Sequence, residues 1–175
     1  MILLDRDGVL NVDLATSVKR VEELEIEAGA DEGCRRLCAA GYSLTVVTNQ
    51  SAVGRGWMER ATLDAINEEL NRRLDGAIAH WYVCDHAPDA RCRCRKPDTL
   101  LLEQAQADLE FDPAATWFVV DAARDIEAAL RFGCRPALLR TGKGAATEAA
   151  YPEVPCWNDL AAFARDLASP SPTLS

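Results

Sequence analysis

Short unbroken apolar runs alternate along this chain with longer stretches whose apolar residues recur at helical spacing. Met1–Leu4 runs straight into Asp5, Arg6, Asp7 and Gly8. An apolar run closed by turn residues reads as a buried strand. Mainly apolar, β-type runs return at Ser43–Val47, Ile78–Val83, Trp117–Val120 and Pro136–Leu139. Between these runs, Ala30–Ala40 places Cys34, Leu37 and Cys38 on one face and stops at Gly41. Met58–Leu74 does the same with Leu63, Ile66, Leu70 and Leu74. Leu100–Leu109, Ile126–Phe132 and Leu160–Leu167 complete the helical set. Strands alternating with helices at this spacing predict an α/β fold, a Rossmann-like doubly wound parallel sheet. A single domain over 1–168 is expected, followed by a Ser/Pro-rich tail over 169–175 expected to be disordered.

Polar residues gather where the predicted strands end. Asp5 and Asp7 follow the first, Thr48, Asn49, Gln50 and Ser51 the second, and Asp121 the fourth. Ligands of open α/β sheets bind beyond the carboxyl ends of the strands, so these groups can converge. Alternation along an extended chain would point Asp5 and Asp7 the same way. Two such charges are costly unless a cation lies between them or they share a proton. Taken alone, DRDG is as readily an acidic turn as a site. Asp121 adds a third strand-end carboxylate, and hard oxygen ligands with room for water suit Mg²⁺. Asp125, four residues on, either supports that site or is an acidic residue favoured by a helix N-terminus. Val12–Glu27 reads as a polar flap near the site, closing with a short strand.

Composition narrows the classes of function. The 175 residues are 49% hydrophobic and 27% charged, the balance of a globular protein. A net charge of −9 argues against a nucleic-acid partner. An acidic chain that handles phosphate needs a local basic spot, and Arg91–Lys96 supplies one. No apolar run approaches the ~20 residues of a membrane span. The N-terminus shows no basic segment followed by a long apolar core, so cytoplasmic location and no membrane partner are the expectation.

Seven cysteines are an odd number for a disulfide framework. Cys84, His86, Cys92 and Cys94 follow the pattern C-x-H-x5-C-x-C. Three thiolates and one imidazole make a closed tetrahedral site, so a structural Zn²⁺ is expected there. It would pin the loop that carries Arg95 and Lys96. Cys34, Cys38, Cys134 and Cys156 read as small core residues. His80 reads as a core or surface histidine.

In this order, DRDGVLN, TNQSAVGRG, the CxH…CxCRKP loop and DxxxD resemble the haloacid dehalogenase-like phosphatases. Within them the likeness is to the branch of D,D-heptose 1,7-bisphosphate and histidinol-phosphate phosphatases, over about residues 1–142. The resemblance implies a minimal cap and an aspartyl-phosphate mechanism on a small-molecule phosphate ester, in a monomer. It implies Asp5 as nucleophile, Asp7 as general acid and base, and Thr48 and Lys96 as phosphoryl-stabilising groups. It further implies Mg²⁺ held by Asp5, Asp121 and the backbone carbonyl of Asp7. It implies Asn49, Gln50 and Ser51 as substrate-binding, and Arg95 as either a grip on a second anion of the substrate or a surface arginine. A sugar phosphate is the expected substrate, histidinol phosphate the alternative. A catalytically silent phosphometabolite-binding protein and a phosphotransferase remain open. Departures from the family pattern are Val120 where glycine usually precedes the aspartate, Ala122 and Ala123 after it, Asp98–Leu100 after RKP, and Ala52 in TNQSAVGRG.

Overall fold

The structure, a computed structural model, describes residues 1–168. The tail predicted over 169–175 lies outside the described residues. Six strands, β1 Ile2–Leu4, β2 Leu44–Asn49, β3 Ile78–Cys84, β4 Trp117–Val120, β5 Arg135–Leu139 and β6 Cys156–Trp157, form one sheet. Its order is β3-β2-β1-β4-β5-β6, and every neighbouring pair is parallel. The α-helices among the described residues are α1 Ala30–Ala39, α2 Ser51–Gly54, α3 Arg60–Arg73, α4 Leu100–Leu109, α5 Ala123–Phe132, α6 Gly144–Glu148 and α7 Leu160–Ala168. This is the doubly wound arrangement the alternation predicted.

Strand alternation divides the core between the two faces of the sheet. Ile2, Leu4, Val46, Val119 and Leu139 face one layer, with Leu37 of α1, Ile66 and Leu70 of α3, and Phe163 of α7. Leu3, Val47, Phe118, Val120 and Leu138 face the other, with Leu102 of α4 and Ile126 and Ala129 of α5. Central strands buried on both sides explain why β1, β2 and β4 read as continuous apolar runs.

The flap over Val12–Glu27 is tied down at both ends. Val12 N–H donates to Glu25 O (2.9 Å), Glu27 N–H donates to Leu10 O (3.0 Å), and Asn11 and Ile26 form an antiparallel bridge. A 3₁₀ turn spans Val21–Glu23. Val18 and Leu24 anchor it in the core. The short strand expected there is thus a single bridge.

Three elements had no periodic signal because they are too short to carry one, β6 at two residues, α2 at four and α6 at five. Cys34 and Cys134 are buried as expected, but Cys38 is exposed and Cys156 half-buried. Cys38 lies at the end of α1, where the helix leaves the core, so it is not a core residue. His80 is on the exposed face of edge strand β3. Val120 sits in β4 and Ala52 in α2, neither with a positive φ, so the backbone there does not require glycine.

Candidate active site

β1, β2 and β4 are adjacent and parallel, so the residues after them leave one edge of the sheet. Asp5 N–H still donates to Val119 O (3.0 Å), which carries the ladder one residue past β1. Asp5, Thr48 and Asp121 are buried at this edge.

Lys96 enters from the loop after β3 and is wholly buried. Its Nζ lies 3.0 Å from Asp5 Oδ1 and 2.8 Å from Asp125 Oδ1, and donates to Val47 O at 2.7 Å. Three acceptors match the three donors of an ammonium. Burial alone would lower the Lys96 pKa, but the charges of Asp125 and Asp5 outweigh it and hold the group above its ordinary value. Burial likewise opposes ionisation of Asp5, and the charges of Lys96 and then Arg124 keep it below the usual range. Asn49 clamps the Lys96 backbone, donating Nδ2–H to Lys96 O and accepting from Lys96 N–H, both at 3.1 Å. Both ends of that amide are engaged, so the side chain expected to meet substrate positions Lys96.

Carboxylate oxygens of Asp5, Asp121 and Asp125 lie within 4.8 Å of one another. Asp121 Oδ2 accepts from Lys143 N–H (2.9 Å), while Oδ1 is buried with no hydrogen-bond partner among the described residues. Burial, and then the Asp5 charge, push the Asp121 carboxyl up to about 7. Burial pushes Asp125 up to about 6 against the pull of Lys96. An unpartnered buried oxygen among crowded carboxylates suits a hard divalent cation, so these residues fit magnesium. Asp125 therefore joins the cluster from the first turn of α5, so the place favoured by the helix dipole and a place beside Asp121 are the same one.

The Asp7 side chain lies outside this grouping. Strand alternation ends at Asp5, because a turn begins at once, with Gly8 N–H donating to Asn11 O at 2.7 Å. Asp7 Oδ1 accepts from Arg6 Nη2 (2.9 Å), Arg6 Nε (3.2 Å) and Asn11 Nδ2 (2.9 Å), and Oδ2 from Gln50 Nε2 (2.7 Å). The Asp7 carboxylate is thus balanced by Arg6, and the clustered carboxylates are those of Asp5, Asp121 and Asp125. Gln50 also donates to Thr48 Oγ1 (3.1 Å) and is buried, so it orients Asp7 and Thr48.

Gly8 (φ +81°) and Gly142 (φ +55°) enclose Asp121. A Cβ on either would come within 2.3 Å of Asp121 Oδ2. Thr141 Oγ1 donates to Gly8 O (2.6 Å) and ties the two turns together.

Three cations near this edge escaped the sequence reading. Arg6 is wholly buried, held by Asp7 and by Asn67 Oδ1 of α3 (3.0 Å). Its signal was its place inside DRDG, where a charge beside a buried strand needs a partner. Arg124 and Lys143 line a cleft of about 400 Å³ together with Asp7, Asn49, Ser51 and Arg95. Arg124 lies within DxxxD and Lys143 within RTGKG, but neither motif by itself says that the two side chains meet at one cleft.

Cys84, His86, Cys92 and Cys94 meet as expected. Cys84 Sγ is 3.6 Å from Cys92 Sγ and 3.2 Å from Cys94 Sγ, and His86 Nδ1 is 3.7 and 3.2 Å from Cys84 and Cys94. Tetrahedral zinc with bonds of ~2.0–2.3 Å sets its ligand atoms at roughly such separations. The four residues could hold zinc, through Nδ1 of the histidine, two residues before Lys96.

A doubly wound α/β scaffold with carboxylates and a buried lysine at one strand edge defines a class of phosphate-handling hydrolase. The HAD-hydrolase-like family model matches residues 93–163. The D-glycero-beta-D-manno-heptose-1,7-bisphosphate 7-phosphatase of Pseudomonas putida is 38% identical over 172 residues, covering 95% of this chain and 98% of its own. The crystal structure of D,D-heptose 1,7-bisphosphate phosphatase from B. bronchiseptica, complexed with magnesium and phosphate, matches with TM-score 0.90 and 37% identity, over 95% and 96% of the two chains. That of the Burkholderia thailandensis enzyme matches with TM-score 0.73 and 35% identity, over 97% and 98%. The chain belongs to the haloacid dehalogenase-like hydrolase family.

Two outcomes follow from the two clusters. Metal analysis should find one zinc per chain, and Cys92→Ser with Cys94→Ser should abolish it; zinc retained in the double variant would refute the ligand set. The second concerns Asp121. Its pKa of about 7 in the metal-free fold exceeds the ordinary 3.8, so between those values the native state holds more protons than the unfolded state. This group's contribution to stability therefore declines as pH rises from about 4 to 7, and cation binding, which needs the ionised form, offsets that loss. The rise in melting temperature on adding Mg²⁺ to the zinc-loaded protein should be larger at pH 8 than at pH 5, by ~2 °C or more. An equal rise at both values would contradict it.

Proposed function

We propose that this chain is a magnesium-dependent phosphatase of sugar phosphates that works through an aspartyl-phosphate on Asp5. Its substrate is D-glycero-β-D-manno-heptose 1,7-bisphosphate, cleaved at the 7-phosphate, as in the named relatives. The observation that carries the reading is the buried Lys96 ammonium, held between Asp5 and Asp125 beside Asp121. The domain over 1–168 acts as a monomer in the cytoplasm; no helix among the described residues is long and apolar enough to cross a membrane.

Asp5 attacks phosphorus in line with the leaving sugar oxygen. Its Oδ1 is already fixed by Lys96 and by Arg6 N–H (2.7 Å), which leaves the other oxygen for attack. Asp5, Asp121 and the backbone carbonyl of Asp7 would hold a magnesium ion, with Asp125 in support, and the ion would neutralise charge on the phosphoryl oxygens. Lys96 and the Thr48 hydroxyl stabilise those oxygens from the protein side. Asp7 gives its proton to the departing alkoxide, then accepts one from the water that opens the acyl phosphate. That step regenerates the Asp5 carboxylate and releases inorganic phosphate. Arg95 and Ser51, in the cleft, contact the rest of the substrate.

Arg6 positions Asp7. Its two nitrogens on Oδ1 act with Asn11 and Gln50 to hold the carboxyl in one orientation.

The test is release of inorganic phosphate from the heptose 1,7-bisphosphate, from other sugar phosphates and from histidinol phosphate. Turnover of the heptose ester should need Mg²⁺ and fall to background in Asp5→Asn. Turnover retained in that variant would end the mechanism; preference for histidinol phosphate would move the substrate; and ligand binding without release from any ester would leave a silent binding protein. Arg6→Met should slow the sugar phosphate by ~10²-fold, the order of a lost general acid. It should slow p-nitrophenyl phosphate far less, because that leaving group departs without a proton. Equal losses on both esters would make Arg6 merely structural.

A further inference from the structure

We propose that Asn67 of α3 is a positioning residue for the reaction: it holds the Arg6 guanidinium on one oxygen of Asp7 and so leaves the other, Oδ2, to serve the leaving group. The proposal rests on the phosphatase reading and deepens it, naming the oxygen of Asp7 that acts and the residue that selects it.

Three donors meet Asp7 Oδ1, two from Arg6 and one from Asn11, against a single donor, Gln50, at Oδ2. An arginine free to choose forks its nitrogens over both oxygens of a carboxylate. Here Nε and Nη2 fall on the same oxygen, and the third nitrogen holds the guanidinium there. Nη1 donates to Asn67 Oδ1 at 3.0 Å, and both residues are buried. Arginine carries donors only, so the amide oxygen must face it. A fork over both Asp7 oxygens would cost Nη1 that acceptor in a dry place.

Asn67 sits with Leu63, Ile66 and Leu70 on the buried face of α3, where helical periodicity calls for an apolar residue. A polar amide there is costly unless it is bonded. The helix gives it a firm base. Asn71, one turn on, donates Nδ2–H to Ile78 O (3.2 Å) and accepts from Ile78 N–H (2.9 Å), which ties α3 to β3. On the other side, Arg6 O accepts from Leu10 N–H (2.8 Å) and Asn11 N–H (3.2 Å), so the backbone that carries the guanidinium is fixed as well.

Asn67 lines a groove of about 300 Å³ beside β3, apart from the cleft that Asp7 lines. Its influence on the reaction therefore passes through Arg6. With the amide gone, the guanidinium relaxes to the fork and takes up Oδ2. An ester whose alkoxide must be protonated as it leaves then turns over slowly, while one with a stable leaving anion is spared.

The experiment is a mutant cycle on zinc-loaded protein with Mg²⁺. Asn67→Leu should lower kcat for the heptose 1,7-bisphosphate by ~10-fold, part of what a general acid supplies. KM, and turnover of p-nitrophenyl phosphate, should stay close to the parent's. In the Arg6→Met background the same change should cost nothing further, because both act by one route. Asn67→Asp, which keeps an acceptor of the same shape, should retain the parent rate. Asn67→Ala should repeat the readings of Asn67→Leu, so the cycle closes with whichever of the two gives a parent-like melting curve. Equal losses on both esters, a loss confined to KM, or losses that multiply with that of Arg6→Met would overturn the proposal. Wild-type turnover that vanishes in Asp5→Asn, measured alongside, tells such a failure apart from failure of the phosphatase reading.

Discussion

A wholly buried lysine between two buried carboxylates is the constraint on which the rest of the site depends. Lys96 could not be charged in this interior without Asp5 and Asp125, and those two could not be ionised together without Lys96. Removing any one leaves an uncompensated charge in a low-dielectric place, which costs several kcal/mol in typical proteins. The trio therefore fixes three separate segments against each other: the end of β1, the loop after β3 and the first turn of α5.

The supports of that trio come from unlike sources. Asn49, at the end of β2, grips the Lys96 backbone with both ends of its amide. The Cys/His cluster closes the loop two residues earlier. Phe118 lies under the ammonium, 5.2 Å from ring centre to Nζ. A loop between sheet strands is ordinarily the mobile part of such a fold. Here an amide clamp holds it to the sheet, and a Cys/His cluster able to bind zinc gathers the loop just before the lysine.

Electrostatics separate the two aspartates of DRDG. Asp5 is embedded beside Lys96, while Asp7 sits at the cleft wall under four donors. Two carboxylates two residues apart thus have different surroundings, which is how one short segment can supply both a nucleophile and a proton carrier. Around them, the cations of the cleft oppose the negative field of the chain and make a local place for phosphate.

Much of this was legible in the residues alone. Continuous apolar runs at β1, β2 and β4 declared a sheet buried on both faces, because only such strands hide every side chain. Polar residues directly after those runs declared the active edge, and C-x-H-x5-C-x-C declared its metal loop, because ligand geometry limits spacing. The sequence could not say that Asp125, in the first turn of α5, also joins Asp121, that Arg6, Asn11 and Gln50 take up the Asp7 carboxylate, or that Asn49 and Gln50 hold other residues in place. Nor could it bring Arg6, Arg124 and Lys143 to the site, or show that Cys38 leaves the core. Those outcomes depend on distances between segments far apart in the chain, and on where a turn ends strand alternation. Only the packed fold sets them, because the energy of a buried charge is decided by what lies within a few ångströms of it.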